Sequence, residues 1–335
     1  MKILNVSFAD SAGAAFGLCH ALNKEGYSAV NLRSNDNYLN YPTIANMRNY
    51  DMETVRRMIL KTDVLVFHTA MDPLIKAFNL APNDMSAEEN RIMAEKKKLI
   101  YFHGSDCRQF GDEILEQADY YWGDYEILVS TPDLLSYVQD HADHANWLPV
   151  ARSFTEISSK YGLSWEDKVA LDSFGEPFLK TILGHAPTNP EIKGTHIFLR
   201  VITKVVEKMP NGMYLPIQMM PWDSCLRTMA SMDIFYDQCL LGAYGTAAVE
   251  ASIFKMPVVC LLKPEVQQIM EKESGLSSPF IQFASEDELE YISIKLCEEP
   301  DLRKKFGESA YDYCRAMHDE APVVTRFMDI VKSMP

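Results

Sequence analysis

The segment 233–260, DIFYDQCLLGAYGTAAVEASIFKMPVVC, constrains the fold more than any other part of this chain. Its apolar run Ile234–Tyr236 predicts a buried strand, and a glycine-containing loop at 241–245 follows. The small residues of 246–254 predict a closely packed helix, and 257–260 a second buried strand. A strand, a glycine turn and a helix N-terminus leave backbone N–H groups free to bind an anion. The segment therefore predicts the anion-binding part of an α/β unit.

Strands and helices alternate along most of the remaining sequence, which is typical of parallel sheets covered by helices on both faces. At 335 residues the chain exceeds what one hydrophobic core usually supports, so two domains are expected. We predict an α/β fold with two Rossmann-like domains facing across a cleft. The predicted parts are an N-terminal domain at 1–153, a linker at 154–175, a C-terminal domain at 176–318 and a final helix at 319–335.

The composition is that of an ordinary globular protein, with 47% hydrophobic and 24% charged residues. No apolar run approaches the roughly 20 residues that cross a bilayer. The seven cysteines form no CxxC pair, so we predict a cytoplasmic protein with reduced cysteines. The formal net charge of −15 disfavours nucleic acid and anionic membranes as partners. The dense basic cluster Lys96-Lys97-Lys98 predicts a solvated helix end.

Polar residues recur where predicted strands end, and ligands of open α/β sheets bind beyond those ends. His103 ends one such strand, and Asp106 follows it. An imidazole there would donate a hydrogen bond to a substrate oxygen, and Asp106 would orient a hydroxylated acceptor, so both are candidate catalytic residues. A second strand-end histidine, His68, strengthens this hypothesis. A purely structural role is the alternative for each.

Gly13 lies between the first predicted strand and its helix. Only Gly13 and Gly17 of a GxGxxG fingerprint are present, which disfavours a dinucleotide-dependent oxidoreductase. Gly13 is therefore either a ligand contact or simply part of a tight turn.

The step Lys193-Gly194 precedes a predicted helix and follows a strand that ends near His185. An ammonium group beside free backbone N–H groups suits a phosphate, and His185 would add a second donor. A solvated loop lysine is the alternative interpretation of Lys193.

The start of the helix at 246–254 contributes Tyr244, Gly245, Thr246 and Glu250 as candidate binding residues. A capping box that began at Thr246 would place its acid at Val249, so capping does not explain Glu250. Small apolar neighbours make this an unusual setting for a carboxylate without a partner. A ribose diol would suit it, because a carboxylate accepts two hydroxyl hydrogen bonds.

With these residues the chain resembles the GT-B glycosyltransferases, and in particular glycosyltransferase family 4. The resemblance implies that Lys193 contacts the diphosphate of a donor, that Glu250 binds the nucleotide ribose, and that His103 lies by the transferred sugar. It also implies transfer of a sugar from a nucleotide diphosphate sugar to a hydroxyl acceptor, such as a glycan, a glycolipid or a small molecule, with retention. The final helix is expected to cross back to the N-terminal domain, as in that family.

Two positions depart from the family pattern. Gly242 stands eight residues before Glu250, where the family carries an acid, and Gly184-His185 stand where an arginine is common. Asp237 or Gln238 is a candidate to fill the space of the missing acid. No Asp-x-Asp tripeptide occurs, so neither a metal nor a cofactor is implied beyond the nucleotide-sugar co-substrate. A nucleotide-sugar epimerase of the same architecture and a catalytically silent sugar-nucleotide-binding protein remain as alternatives.

Overall fold

The structure is a computed structural model that describes residues 1–10, 12–68, 75–76, 78–162, 170–171, 177–178 and 180–335. The chain divides into two compact units. The N-terminal unit comprises residues 1–152 together with 320–335, and the C-terminal unit comprises residues 153–319. Each unit contains a parallel sheet flanked by helices, which confirms the predicted α/β class with two Rossmann-like sheets.

The strands of both units are, in chain order, β1 Lys2–Ser7, β2 Ser28–Arg33, β3 Ala45–Asn46, β4 Val64–His68, β5 Lys97–Phe102, β6 Glu126–Val129, β7 Ala145–Trp147, β8 Ala170–Leu171, β9 Pro177–Phe178, β10 Thr181–His185, β11 Gly212–Pro216, β12 Ile234–Tyr236 and β13 Val258–Val259. The α-helices are α1 Ala14–Lys24, α2 Met52–Leu60, α3 Ala87–Ala94, α4 Ser105–Tyr121, α5 Phe154–Tyr161, α6 Pro190–Lys193, α7 Thr195–Lys208, α8 Trp222–Met229, α9 Thr246–Ile253, α10 Pro264–Ser274, α11 Glu286–Glu298, α12 Pro300–His318 and α13 Glu320–Ser333. Short 3-10 helices lie at Met47–Asn49, Pro82–Asp84, Pro132–Tyr137 and Gln139–His144.

The N-terminal unit is built on a seven-stranded parallel sheet in the order β3-β2-β1-β4-β5-β6-β7. The strand order reverses direction between β1 and β4, and ligands of such sheets bind beyond the carboxyl ends of the strands at this switch point. Leu18 of α1 and Phe327 of α13 belong to one buried core with residues of β1, β4 and β5. The Lys97 ammonium donates to the backbone carbonyls of Val331 and Met334 at 2.8 and 2.9 Å, which ties α13 to this sheet.

The C-terminal unit has a four-stranded parallel sheet in the order β11-β10-β12-β13, with its own switch point between β10 and β12. Leu183, Phe198 and Tyr236 are buried in its core. The Tyr236 hydroxyl donates to Ser293 Oγ at 2.7 Å, so the one polar atom of this ring is satisfied inside the core. The two-residue strands β8 and β9 form a separate antiparallel pair.

The structure corrects the interpretation of the basic cluster 96–98. The predicted helix ends at Ala94, and β5 begins at Lys97, so the three lysines lie at a strand start and not on a solvated helix end. Lys96 and Lys98 are buried and donate to backbone carbonyls, among them that of Met93 at 3.1 Å from Lys98 Nζ. Burial is the main cause that lowers the pKa of both ammonium groups. The sequence shows only the charges, whereas the neighbouring carbonyls come from the fold.

The predicted linker 154–175 begins with helix α5, although its apolar periodicity is weak. Residues 163–169 and 172–176 lie outside the described part of the chain. Helix α10 was not predicted at all. In the described residues no helix is long and apolar enough to cross a membrane. The seven cysteines are unpaired, and all except the half-buried Cys225 are buried, because burial in apolar surroundings suits a free thiol.

Candidate nucleotide-sugar site

In the C-terminal unit, an ion pair joins the end of helix α6 to the carboxyl end of strand β12. The Lys193 ammonium, at the end of α6, lies 2.7 Å from Asp237 Oδ1, and Asp237 directly follows β12. The side chains are 13% and 1% exposed, so the pair is largely shielded from water. The other oxygen, Asp237 Oδ2, accepts the Gly245 N–H at 2.7 Å. One carboxylate therefore holds Lys193 against the start of α9.

This ion pair leaves binding capacity for a ligand. An ammonium group has three N–H donors, and within the described residues Lys193 uses one of them, on Asp237. Gly245 is the N-cap of α9, and no side chain caps that end. The first N–H groups of a helix have no partner within it, and together they favour negative charge. The arrangement suits an anion with several oxygens.

Gly194 allows the Lys193 loop to pass close to the chain that follows Asp237. Its φ of +72° is in the left-handed region, and a Cβ there would overlap Cys239 Sγ. The Cys239 N–H donates to the Lys193 carbonyl at 3.2 Å. Glycine is thus required at 194 to keep the lysine at this site, so Gly194 has a positioning role.

The predicted role of His185 as a second donor to the ligand requires correction. Its ring is fully buried, with Nδ1 2.7 Å from the Tyr236 carbonyl and Nε2 2.8 Å from Thr195 Oγ1. Nδ1–H donates to that carbonyl, and Nε2 accepts from the hydroxyl. Burial lowers the pKa of His185 to about 4, so the ring is neutral near pH 7. His185 instead joins β10 to β12 and to the start of α7.

Glu250 has a partner that the sequence did not reveal. The residue is 3% exposed, and its Oε1 accepts the indole N–H of Trp222 at 2.8 Å. Trp222 is the first residue of α8, and Glu250 lies in the middle of α9. The indole therefore orients the carboxylate that the family resemblance assigns to a ribose, and a ribose contact by Glu250 stays a prediction.

Tyr244 lies in the core of the C-terminal unit, which argues against direct ligand contact. Its hydroxyl lies 2.9 Å from His318 Nε2, and its ring packs against Phe280 with centroids 4.8 Å apart. Burial is the main cause that raises the pKa of Tyr244 well above its ordinary value. We therefore correct Tyr244 to a core residue. Thr246, half-buried as the first residue of α9, remains a candidate contact.

The structure explains why position 242 carries no acid. Gly242 has φ +78°, and a Cβ there would overlap Cγ of Lys263. The Lys263 N–H donates to the Gly242 carbonyl at 2.9 Å, so the lysine stem is held across the glycine. Any side chain at 242 would have to displace this stem. The space beside Gly242 is occupied by a lysine and not by a carboxylate.

In the N-terminal unit the Gly13 turn already contains an internal anion. The buried Asp10 carboxylate accepts the N–H groups of Ala15 and Phe16 at 3.2 and 2.9 Å, at the start of α1. A guanidinium N–H of Arg152 donates to the Gly13 carbonyl at 3.3 Å. These contacts explain the turn without a ligand, because Asp10 occupies the place where a helix start would bind a phosphate. Ligand contact by Gly13 stays a prediction.

His103 and Asp106 lie where the sequence placed them, after β5, but Asp106 has a local task. Both of its carboxylate oxygens accept the backbone N–H of His103, at 3.1 and 3.0 Å, which closes the turn into α4. Arg108, two residues further on, is half-buried and forms an ion pair with Asp133. His103 Nε2 lies 2.9 Å from His68 Nδ1, so the two strand-end histidines meet as predicted from their positions.

Sequence reasoning missed two residues at these sites, Asn5 and Trp222, and it missed the pairing of Asp237 with Lys193. Asp237 was considered only as a substitute for the acid absent at 242, although its place directly after a strand was a usable signal. Asn5, which contacts His68, is a polar residue inside an apolar strand, and this was a weaker signal. Trp222 offered none, because its contact with Glu250 spans 28 residues.

Comparison with known proteins shows a likeness in structure alone. No protein-family profile and no curated protein sequence matches the chain. An α-glucosyltransferase solved with UDP and a 13-mer DNA is 11% identical; the match covers 99% of this chain and 100% of that chain, with a TM-score of 0.66. Anabaena HepE, solved with UDP and glucose, is 13% identical over 100% of both chains, with a TM-score of 0.65.

A third similar structure is sucrose-phosphate synthase from Thermosynechococcus elongatus. It is 11% identical; the match covers 99% of this chain and 98% of that chain, with a TM-score of 0.59. Identities this low establish the fold and not the activity. These neighbours are GT-B glycosyltransferases, and this chain therefore has the fold of the GT-B glycosyltransferases.

Proposed function

We propose that this protein is a glycosyltransferase of the family 4 type that moves a sugar from a nucleotide diphosphate sugar to a hydroxyl acceptor. The observation that carries the proposal is the cluster of Lys193, Asp237 and Gly245 at the switch point of the C-terminal sheet. A diphosphate there would accept hydrogen bonds from the remaining N–H donors of Lys193 and from the first N–H groups of α9. As it leaves, the same groups would stabilise its growing negative charge.

Glu250 is the proposed ribose ligand. Its buried carboxylate is held by the Trp222 indole on the helix that Gly245 begins. A carboxylate oriented in this way accepts hydroxyl hydrogen bonds, which are stronger with an ionised acceptor. The C-terminal unit would thus bind the donor, and the N-terminal unit the acceptor. We further propose retention at the anomeric carbon, no divalent metal, and a role in glycan assembly in the cytoplasm.

The structural neighbours support UDP sugars as the first donors to test. The α-glucosyltransferase and Anabaena HepE were both solved with UDP, and HepE also with UDP-glucose. The α-glucosyltransferase structure also contains DNA, so nucleic acid belongs among the acceptors to be tested. The net charge of −15 disfavours it, and we propose a glycan, glycolipid or small-molecule acceptor instead.

A catalytically silent sugar-nucleotide-binding protein is the second candidate, and two observations favour it. Asp237 pairs with the lysine that would otherwise attract the diphosphate, and the acid expected at Gly242 is replaced by the stem of Lys263. Such a protein would bind the donor and would show neither transfer nor slow hydrolysis of the donor.

A thermal-shift screen with UDP-, GDP-, ADP- and CMP-sugars tests donor binding directly. A ligand at 100 times its Kd stabilises the folded state by about 2.7 kcal/mol, so one nucleotide should stand out. Incubation of that sugar nucleotide with and without candidate acceptors then separates the activities. Transfer supports the proposal, an epimer formed without acceptor indicates an epimerase, and binding without turnover indicates the silent protein.

The site is tested by calorimetry of UDP binding with paired variants. Lys193→Met should lower the affinity at least about tenfold, or roughly 1.4 kcal/mol, whereas Lys208→Met, an exposed lysine of α7, should leave it unchanged. Glu250→Gln should also weaken binding, and Glu290→Gln on α11 is its control. Far-UV circular dichroism checks that each variant is folded. Unchanged affinity in both site variants would overturn the assignment.

A further inference from the structure

The N-terminal unit contains a hydrogen-bonded chain of three side chains from three adjacent strands. His68 ends β4, with Nε2 2.8 Å from Asn5 Oδ1 on β1 and Nδ1 2.9 Å from His103 Nε2 after β5. Side chains two residues apart on a strand share a face, and Ser7 is the register partner of His68, so Asn5 and His68 lie on one face. These three hydrogen-bonded side chains lie across the switch point of the seven-stranded sheet.

The contacts of Asn5 set the direction of the hydrogen bonds. Its Nδ2 donates to Cys19 Sγ at 3.0 Å, which leaves Oδ1 to face His68. Because an amide oxygen only accepts, His68 Nε2 must carry the proton. Burial and the neighbouring His103 lower the pKa of His68, which keeps its ring neutral. His68 Nδ1 is then a lone pair, and His103 Nε2–H donates to it.

The outer nitrogen of His103 is therefore an acceptor. Burial is the largest influence on this ring and lowers its pKa; Asp106 and Asp10 oppose that effect, and Arg152 adds to it. With Nε2 protonated and the ring neutral, Nδ1 holds a lone pair. Within the described residues this atom is buried and has no hydrogen-bond partner, and the same holds for Ser7 Oγ on the same sheet.

Unpartnered buried polar atoms are uncommon in native proteins, because each loses its hydrogen bonds to water. Five of the eight side chains with such an atom in the described part of the N-terminal unit also share a location. The side chains of Ser7, Arg33, His103, Thr131 and Asp133, each with one such atom, lie at or just after the carboxyl ends of β1, β2, β5 and β6. This is the edge at which open α/β sheets bind ligands, so a hydroxyl-rich ligand would satisfy them.

We propose that Asn5 and His68 are positioning residues that hold His103 as the Nε2–H tautomer, so that its Nδ1 lone pair accepts a hydrogen bond from a ligand hydroxyl. This reverses the role predicted from the sequence, in which His103 donates to a substrate oxygen. The tautomer is a property of the N-terminal unit alone. The identity of the hydroxyl, on a sugar or on an acceptor, rests on the proposed function.

Nitrogen-15 NMR of the histidine rings in the full chain tests the tautomer without any ligand. The signals are assigned with His68→Gln and His103→Gln. At pH 7 both rings should show a protonated Nε2 and an unprotonated Nδ1. A protonated Nδ1 on His103, whether in the other neutral tautomer or in an imidazolium ring, would overturn the proposal.

Two substitutions of Asn5 separate positioning from a merely structural role. Asn5→Gln keeps an uncharged amide oxygen as acceptor for His68 and should keep the His103 tautomer, whereas Asn5→Leu removes the acceptor and should give His103 a mixture of tautomers. An unchanged His103 tautomer in a folded Asn5→Leu variant would contradict the proposal that Asn5 acts on His103 through His68. If Asn5→Leu does not fold, the spectrum of the unmodified protein still decides.

The transfer assay with UDP-glucose adds a functional readout. If the protein transfers glucose, His68→Leu should lower kcat at least about tenfold and change the pH profile, with little change in KM for UDP-glucose. A change in KM alone would contradict a role through His103. If the unmodified protein transfers sugar from none of the UDP-, GDP-, ADP- and CMP-sugars, the proposed function has failed, and the NMR result still decides the tautomer.

Discussion

The ion pair between Lys193 and Asp237 can be tested through the stability of the fold. Its members lie 2.7 Å apart and are 13% and 1% exposed. Removing one partner leaves the other charge buried without compensation. Asp237→Ala leaves the ammonium buried without its carboxylate, and Lys193→Met leaves the carboxylate with the Gly245 N–H and a distant thiol as donors among the described residues. The costs of the two single variants in the free energy of unfolding should therefore add up to more than the cost of the double variant.

The magnitude follows from the geometry. At 2.7 Å and an effective dielectric constant of about 20, the gross Coulomb attraction is about 6 kcal/mol, most of which offsets the loss of hydration. Breaking a buried pair from one side typically costs about 3–5 kcal/mol in the free energy of unfolding. The double variant leaves no buried charge without a partner, so we expect a coupling energy of about 2 kcal/mol or more between the two sites.

Urea unfolding of the two single variants and the double variant measures this coupling. The control cycle uses Arg200→Met and Glu286→Ala, a pair in the same unit whose side chains are 52% and 39% exposed. An exposed pair contributes about 0–1 kcal/mol, so its coupling should be small. Additive costs at Lys193 and Asp237, or a coupling no larger than in the control, would refute the view that burial makes this pair stabilising.

Three further predictions concern the same unit. The pKa of His185 is about 4 in the folded chain against 6.5 ordinarily, so between these pH values only the unfolded chain gains a proton. The free energy of unfolding should therefore fall by up to about 3 kcal/mol from pH 6.5 to pH 4. His185→Gln should remove this part of the pH dependence, as measured by urea unfolding at several pH values. Gly242→Ala should cost at least about 1–2 kcal/mol and more than Gly275→Ala, which has φ +67° and no atom near its Cβ position; equal costs would show that the lysine stem yields freely. Trp222→Phe should leave Glu250 without its indole donor and lower UDP affinity about tenfold in calorimetry, and an unchanged affinity would remove Trp222 from the site.

The elements were largely predictable from the sequence because their signals are local. The apolar run at Ile234–Tyr236 is a strand, and the small residues after Gly245 form α9, as periodicity and turn residues indicated. Helix α5 was missed because its periodicity is weak. The end of α3 was misplaced because charged residues suit a helix terminus and a strand start equally well when their neighbours are unknown. Lys98 shows this, since its carbonyl partner follows from the packing of β5 beside α3.

The sequence by itself determined which residues gather at the carboxyl ends of the strands, because parallel strands joined by helices bring their carboxyl ends to one edge of a sheet. Only the tertiary structure decided what each of them contacts. Asp237 meets Lys193 across 44 residues, and His68 meets His103 across 35, because the order of strands in the sheet makes distant segments neighbours. Hydrogen bonds depend on distances of a few tenths of an ångström and on the direction of each donor. No spacing along the chain encodes either, so the roles of His185, Tyr244 and Gly242 became clear only in the folded chain.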